Sequence, residues 1–311
     1  MQKRQLGKNG PQLSVIGLGT WAIGGPCRWG WGPQSDTDSI AAIRVSLEHG
    51  VNWIDTAPIY GMGHAEEVVG KAIAEVPRDS IFIATKCGLV WDERGKVRIN
   101  LRPETIRNDV EQSLRRLKID VIDLYQHHWP DPNTSVNDSW GELVRLREEG
   151  KVRYIGLCNY QPRVLEKCHK IHPVQSLQPP LSLVERDTIE TLLPLCQKLG
   201  IGVVPYSPLQ TGLLTGSFDK SRLAEGDWRL RDKHFQEPRL SDTLNLVEKL
   251  RPIAERVGFS IAQLAIAWVM AQPGVTSAIV GARNAQQALS NLRAAELDLS
   301  SEALHNIAAC L

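Results

Sequence analysis

Short apolar runs rich in β-forming residues alternate along the chain with longer amphipathic segments. In residues 51–60 (VNWIDTAPIY), Trp53 and Ile54 are typical of a buried strand that ends at Asp55. In residues 103–117, apolar side chains recur every three or four positions, which is the period of one helix face. The alternation of these two periods predicts an α/β protein built from repeated strand–helix units.

The pattern supplies eight such units. Strands are predicted within residues 15–21, 51–55, 80–87, 121–129, 152–160, 174–178, 201–208 and 275–281. Helices are predicted at 36–49, 64–76, 103–117, 136–149, 162–171, 187–199, 242–257, 260–271, 284–295 and 300–310. We therefore expect a single (β/α)8 TIM barrel domain over residues 1–311, with extra helices near the C-terminus. An Asn-Gly turn within residues 1–16 predicts an N-terminal β-hairpin, and residues 209–240 are expected to form a long loop on the active face.

A doubly wound parallel sheet is the alternative architecture. It would place a G-x-G-x-x-G turn between the first strand and the first helix. Gly17 and Gly19 are present at that position, but the motif is not completed. The glycines are instead expected to let another backbone or a ligand approach the first strand closely.

Composition excludes several classes of protein. Lys plus Arg number 36 and Asp plus Glu number 35, so no charge excess suggests a nucleic-acid partner. The N-terminus has no apolar signal core, and the apolar segment 261–270 is too short to span a bilayer. The eight histidines form no metal-binding tract, and none of the six cysteines lies in a C-x-x-C pair. We expect a cytoplasmic protein with reduced thiols, no metal and no membrane association.

Four polar residues fall at the C-terminal ends of the predicted strands, where barrels place reactive groups. Asp55 and Lys86 end adjacent strands, Tyr60 follows Asp55 in its loop, and His128 ends the fourth strand. A buried ammonium at Lys86 would need a partner, which Asp55 could supply. The ammonium is then expected to lower the pKa of Tyr60 toward neutrality and make the phenol a usable proton donor. A purely structural ion pair is the alternative, and spacing does not decide between His127 and His128.

The motifs along the chain resemble those of the aldo-keto reductase family. They are GLGTW (17–21), DTAPIYG (55–61), EEVVGKAI (66–73), ATK (84–86), IDLYQHHWPD (122–131), GLCNY (156–160), LQPPLSLVERD (177–187), YSPLQTGLLTG (206–216) and GARN (281–284). The likeness is greatest to the bacterial branch typified by the general-stress and inositol-cluster aldo-keto reductases. It implies a catalytic tetrad of Asp55, Tyr60, Lys86 and His128, since His128 is the histidine that precedes Trp129-Pro130.

The resemblance also implies a nicotinamide cofactor. Cofactor contacts are implied at Gly19, Thr20, Trp21, Asp55, Cys158, Asn159, Gln178, Tyr206, Ser207, Leu209, Gln210, Gly212, Leu213, Gly281, Ala282, Arg283, Gln287 and Asn291. Two positions depart from the family pattern: Cys158 stands where a serine is usual, and Ser217 stands where many relatives have lysine. Arg283 suits a 2′-phosphate, so NADPH is expected to be preferred, with NADH as the open alternative.

Six tryptophans are expected on the active face as a substrate pocket. They are Trp21, Trp29, Trp31, Trp91, Trp129 and Trp228. Aromatic walls with few charges suit small neutral carbonyl compounds, although about half of these indoles could simply fill loop cores. The chain ends at Leu311, and the absence of a long tail suggests an open site for short aldehydes such as methylglyoxal.

The implied function is reduction of small aldehydes and ketones, with Tyr60 as the general acid. A nucleotide-sensing regulatory subunit that keeps the fold and the cofactor site is one alternative. A phosphate-binding isomerase or lyase is another, and it would lack a residue that stacks on nicotinamide. The expected assembly is a monomer or a weak homo-oligomer.

Overall fold

Parallel strands form the centre of the molecule. The computed structural model describes residues 1–27, 30–223, 225 and 227–311. Within them the strands are β1 Lys3–Gln5, β2 Gln12–Ser14, β3 Ile16–Gly19, β4 Trp53–Asp55, β5 Phe82–Cys87, β6 Leu89–Trp91, β7 Val97–Ile99, β8 Ile122–His127, β9 Val152–Cys158, β10 Ser176–Gln178, β11 Gly202–Val203 and β12 Ala278–Gly281. Eight of these strands form one parallel sheet in the order β11-β10-β9-β8-β5-β4-β3-β12.

The two edges of this sheet meet. Val203 of β11 pairs in parallel with Val275, just before β12. The amide of Thr276 donates to the carbonyl of Val203 at 2.8 Å, and the amide of Ile279 donates to the carbonyl of Pro205 at 2.8 Å. The eight strands therefore close into the (β/α)8 barrel expected from the sequence.

Helices follow the barrel strands. They are α1 Asp36–Glu48, α2 His64–Ala72, α3 Pro103–Leu117, α4 Val136–Glu148, α5 Pro162–Ile171, α6 Asp187–Thr191, α7 Leu193–Leu199, α8 Arg239–Val257, α9 Ile261–Met270, α10 Ala285–Leu292 and α11 Ser301–Ala308. Among the described residues, no single helix is long and apolar enough to cross a membrane. Helices α8 and α9 meet that criterion only when taken together, and they are bent by 86°.

Local sequence explains where the helices begin and end. Helix α3 starts at Pro103. Proline has no backbone N–H, and this costs no hydrogen bond here because N–H groups in the first turn of a helix have no partner within the helix. It buries Ile106, Val110 and Leu117. Lys118, which follows the last helical residue, has a left-handed φ of 56° and ends the helix. Its apolar face lies against the sheet, as the period of the sequence predicts.

The N-terminal hairpin belongs to the barrel core. Strands β1 and β2 pair antiparallel, and the buried side chains of Leu6 and Leu13 pack against Trp53 and other residues of the lumen. A side chain at Gly17 would collide with the indole of Trp53. At Gly17 the close approach is thus made by a core side chain, where another backbone or a ligand was expected, because the indole fills the lumen beside β3.

Three predictions of local structure were incomplete. The loop after β5 contains the antiparallel pair β6–β7, and the helix predicted at 187–199 breaks at Leu192 into α6 and α7. The strand predicted at 201–208 is only Gly202–Val203, because its end turns into the loop at Ser207, with φ 57°. The loop 209–240 contains short 3₁₀ helices at Gln210–Thr215, Lys220–Arg222, Trp228–Arg231 and Lys233–Phe235.

Candidate active site

Lys86 is the centre of a buried polar cluster at the C-terminal ends of β4 and β5. Its Nζ donates to Oδ1 of Asp55 at 2.6 Å, to the carbonyl of Thr56 at 3.0 Å and to the hydroxyl of Tyr60 at 3.2 Å. Side chains alternate along β5, so Lys86 points into the lumen on the same side as Ala84. The partner expected for the buried ammonium is therefore present, and the ammonium joins the carboxylate to the phenol.

The loop that carries Tyr60 is held against the loop after β3. Gly61 has a φ of 65°, and a side chain there would collide with the backbone of Gly24. A side chain at Gly24 would in turn collide with the backbone of Tyr60 and Gly61. Because neither glycine has a Cβ, the two backbones touch and fix the phenol beside Lys86.

The electrostatics correct the expectation for Tyr60. Burial raises the pKa of this phenol to about 12, since the lowering effect of Lys86 is outweighed by desolvation and opposed by the Asp55 carboxylate. The expected fall toward neutrality was wrong, because desolvation by burial is the largest effect and the Asp55 carboxylate adds to it against the ammonium. Burial also disfavours the charged form of Lys86, but Asp55 and Tyr60 raise its pKa well above the usual range. At neutral pH both groups hold their protons.

The two neighbouring histidines face different surroundings. The ring of His128 lies 5.8 Å from the ring of Tyr60, in an edge-on arrangement. Burial, aided by the charge of Lys86, lowers the pKa of His128 well below its usual value, so the imidazole is neutral. His127 contacts the hydroxyl of Tyr160 at 2.9 Å and packs edge-on against Trp140 of α4. The structure thus brings His128, and not His127, to the phenol.

Both oxygens of Asp55 are used. Oδ1 accepts from Lys86, and Oδ2 accepts from Nε2 of Gln178 at 2.8 Å. The Thr20 hydroxyl donates to the backbone carbonyl of Asp55 at 3.1 Å. The sequence did not reveal that Gln178 orients the carboxylate, because the two residues are 123 positions apart and meet only through the closed sheet.

Asn159 and Tyr206 form a second polar group beside the cluster. Asn159 has a left-handed φ of 64°, its Nδ2 donates to the carbonyl of His128 at 3.0 Å, and its Oδ1 accepts from the hydroxyl of Tyr206 at 2.8 Å. The thiol of Cys158 lies 3.6 Å from Oε1 of Gln178. Burial raises the pKa of this thiol to about 12. An aromatic ring next to amide groups fits a flat, amide-bearing ring such as nicotinamide.

The turn after Tyr206 has an unusual backbone. Gln210, Thr211 and Gly212 have φ values of 44°, 51° and 105°, and Ser207 is also left-handed. Turns of this kind form concavities for anions. Leu213 is fully buried, and Leu209 packs partly buried against the core, so contacts from these two residues would come from their backbone.

Arg229 lies beside this turn, and no sequence motif pointed to it. Its Nη1 is 3.5 Å from the carbonyl of Thr211, and its guanidinium lies 4.7 Å above the ring of Trp31. Its Nε and Nη2 donate to the two side-chain oxygens of Asp227 at 3.1 and 2.7 Å. A cation next to an anion-binding turn fits a pyrophosphate.

The last five implied cofactor contacts, Gly281 to Asn291, lie together at the end of β12, where the resemblance implies the adenosine end of the cofactor. Gly281 is the last residue of the strand and Ala282 follows it. Asn291 donates to the carbonyl of Gly281 at 3.1 Å, and Oε1 of Gln287 accepts from the amide of Arg283 at 3.0 Å. The Arg283 guanidinium reaches the segment before α1. Its Nε donates to Oε1 of Gln34 at 2.7 Å, and its Nη2 donates to the carbonyl of Pro33 at 2.5 Å.

Three of the six expected pocket tryptophans are in contact. Trp21 lies 5.6 Å from Trp31 and 5.2 Å from Trp228 between ring centroids, and Trp31 lies 6.3 Å from Trp228. Trp91 is in β6, and Trp129 is 42% exposed just after His128. Trp29 lies outside the described residues. The indole cluster joins the loop after β3 to the 3₁₀ helix at Trp228–Arg231.

Several known proteins are similar to this chain. Residues 15–311 match the profile of the Aldo/keto reductase family. The chain is 40% identical to aldo-keto reductase YhdN of Bacillus subtilis over 92% of its own length and 86% of the relative. It is 36% identical to the NADH-specific methylglyoxal reductase of Escherichia coli over 96% and 95% of the two chains. The structure of the glycerol dehydrogenase AKR11B4 from Gluconobacter oxydans superposes with a TM-score of 0.90 at 37% identity, covering 100% of this chain and 95% of the other.

Proposed function

This chain belongs to the aldo-keto reductase family, and we propose that it is an NADPH-preferring reductase of small neutral aldehydes and ketones such as methylglyoxal. The observation that carries the proposal is the buried chain of contacts from Asp55 through Lys86 to Tyr60. A protonated phenol held by an ammonium at the mouth of a barrel can donate a proton to a carbonyl oxygen. The family membership fixes the class of oxidoreductase, and the cluster supplies the acid.

The proposed mechanism assigns one task to each residue. The bound cofactor supplies the hydride to the carbonyl carbon, and Tyr60 donates its proton to the carbonyl oxygen. Neutral His128, beside Tyr60, donates a hydrogen bond that orients this oxygen. Lys86 stabilises the phenolate that remains after proton transfer, and Asp55 and Gln178 hold Lys86 in place. A phenol with a pKa of about 12 keeps its proton at neutral pH until the carbonyl oxygen gains charge.

The residues that would hold the cofactor lie at the C-terminal ends of the strands. Asn159 and Gln178 would bind its carboxamide, Tyr206 would stack on its nicotinamide ring, and the turn from Ser207 to Leu213 would bind its pyrophosphate. Arg229 adds a positive charge beside that turn. Trp21 and Gly281 to Asn291 line the two ends of the site. Arg283 is proposed to pair with a 2′-phosphate, which would favour NADPH over NADH.

The indole cluster supports a small, uncharged substrate. Trp21, Trp31 and Trp228 present aromatic surface, and Arg229, which stacks on Trp31, is paired with Asp227. Methylglyoxal is the substrate in the name of the Escherichia coli relative, and it fits such a site by size and polarity. The six cysteines are all unpaired, which supports a reducing, cytoplasmic setting for a monomeric or weakly associated enzyme.

The Tyr60→Phe variant tests the proposal. It removes the acid but keeps the ring, so turnover with methylglyoxal should fall by about a thousandfold while cofactor affinity is kept. Absorbance at 340 nm measures turnover, and quenching of tryptophan fluorescence measures binding of NADPH and NADH. Near-normal turnover in the variant would contradict the assigned role. If the wild-type protein binds cofactor but reduces none of a panel of aldehydes, ketones and sugars, the regulatory-subunit alternative replaces the enzyme.

A further inference from the structure

Arg283 is bound to the chain itself by a clasp, defined here as Pro33, Gln34 and Arg283. Two of the guanidinium nitrogens donate to this segment: Nε to the side-chain oxygen of Gln34 at 2.7 Å, and Nη2 to the backbone oxygen of Pro33 at 2.5 Å. The amide nitrogen of Gln34 returns a hydrogen bond to the carbonyl of Arg283 at 2.7 Å. The clasp thus joins two segments that are 249 positions apart.

The Gln34 amide is itself fixed in place. Its Nε2 also lies 3.0 Å from the hydroxyl of Ser39, which is buried in the first turns of α1 and donates to the carbonyl of Ser35 at 2.8 Å. The side-chain oxygen of Gln34 therefore points at Arg283 from a defined position. An acceptor held in this way is a better partner for a guanidinium than a freely moving one, since little side-chain entropy is lost.

The clasp occupies one edge of the guanidinium, the edge formed by Nε and Nη2. A guanidinium binds a phosphate best through two parallel N–H donors, and Nε and Nη2 are such a pair. A 2′-phosphate that binds at this edge must displace Gln34 and Pro33, whereas a cofactor with a free 2′-hydroxyl does not need the guanidinium. The competition therefore weakens binding of NADPH and leaves binding of NADH unchanged.

We propose that Gln34 is a specificity-determining residue that sets the ratio of NADPH to NADH affinity by competing for Arg283. This inference rests on the proposed function, because it assumes that the adenosine end of a nicotinamide cofactor lies at Arg283. It assigns a role to a residue outside the turn that follows β12. It also explains how one family site can accept both cofactors: the strength of the clasp decides how much of the guanidinium is available.

The test compares two substitutions of similar size. Gln34→Met removes the acceptor, and the dissociation constant for NADPH should fall by about tenfold, the effect of one hydrogen bond to a charged group. Gln34→Glu places a carboxylate against the guanidinium and near the phosphate, and the NADPH constant should rise by about tenfold. The dissociation constant for NADH should change by less than about twofold in both Gln34 variants. Titration by tryptophan quenching or calorimetry gives these constants without turnover.

Arg283→Gln supplies the matched control. In that background Gln34→Met should have no effect on the dissociation constant for NADPH, since there is no guanidinium for Gln34 and the phosphate to compete for. Equal changes for NADPH and NADH, or none in any Gln34 variant, would overturn the inference while the reductase function stands. If the wild-type protein binds neither cofactor in these titrations, the proposed function fails and the inference fails with it. Thermal unfolding of each variant verifies that the fold is retained.

Discussion

Two buried or largely buried carboxylates near β5 have different surroundings. Asp55 is matched by the Lys86 ammonium at 2.6 Å and by the amide of Gln178. Asp109, on α3, accepts a backbone hydrogen bond from Gly88 at 3.0 Å, and the Glu66 carboxylate opposes its charge. Burial raises the pKa of Asp109 to about 6, although Gly88 and Arg116 act in the opposite direction. The ammonium of Lys86 thus stabilises the buried charge of Asp55, whereas the charge of the largely buried Asp109 destabilises the folded state.

Replacing Asp109 should stabilise the protein in a pH-dependent way. Because the folded-state pKa lies above the unfolded value of 3.8, the fold is destabilised progressively as the pH rises from the unfolded pKa, and this loss is complete above a pH of about 6. Asp109→Asn keeps an acceptor for Gly88 and should raise the free energy of unfolding by about 1–2 kcal/mol near pH 8, after allowance for partial exposure. The gain should vanish below about pH 3, where both states are protonated.

Urea unfolding at several pH values measures this difference. The exposed Asp120→Asn variant changes the net charge equally and serves as the control. A gain for Asp109→Asn that does not depend on pH would show that burial of the charge is not its cause.

At the scale of elements, aromatic contacts attach the part of the chain around the 3₁₀ helix Trp228–Arg231 to the barrel mouth. Trp228 is 8% exposed and lies against Trp21 and Trp31, while Arg229 stacks on Trp31. The 3₁₀ helix is capped by Asp227, whose side chain accepts from the amide of Arg229. The indole cluster therefore holds this segment beside the proposed pyrophosphate turn.

Removing Trp228 should release this segment without unfolding the barrel. In Trp228→Ala, trypsin cleavage at Lys220, Arg229 or Arg231 should accelerate by about tenfold or more. The reason is that the contacts of one large aromatic side chain are lost, which lowers the free energy needed to open this segment locally. The main thermal transition should shift little. Mass spectrometry of the fragments gives the cleavage sites, and the exposed Trp129→Ala is the control. Unchanged cleavage in Trp228→Ala would show that other contacts hold the segment.

At the scale of the whole molecule, the barrel lumen forms one core from the N-terminal hairpin to the active site. Leu6 and Leu13 pack in the same cluster as Trp53, Ala84 and Leu124. Nε1 of Trp53 donates to the hydroxyl of Ser277 at 2.9 Å, which links β4 to the segment before β12. The hairpin thus closes the lumen at the end opposite the polar cluster.

The hairpin should unfold together with the barrel. Leu13→Ala removes a fully buried side chain, and the free energy of unfolding should fall by about 3 kcal/mol in a single transition. Denaturation in urea, followed by both far-UV circular dichroism and tryptophan fluorescence, measures the loss. Leu289→Ala, at a position 38% exposed, should cost far less. Two separate transitions, or a loss below about 1 kcal/mol, would show that the hairpin is an independent appendage.

The order of strands and helices could be read from the sequence. Alternating and helical periods depend on neighbours along the chain, and they were sufficient to predict eight barrel strands. They also placed Asp55, Lys86 and His128 at strand ends, because the C-terminal ends of parallel strands meet on one face. Element boundaries were less accurate where a turn or a break, such as that at Leu192, interrupts a continuous pattern.

Only the tertiary structure decided how these residues interact. The Gln178–Asp55 and Gln34–Arg283 contacts join positions 123 and 249 residues apart, and no local period reports such contacts. The sign of the pKa shift of Tyr60 depends on the balance between burial, Lys86 and Asp55, which the sequence cannot weigh. The sequence thus determined which side chains reach the barrel mouth. Folding decided their charges and partners, since both depend on distances through space.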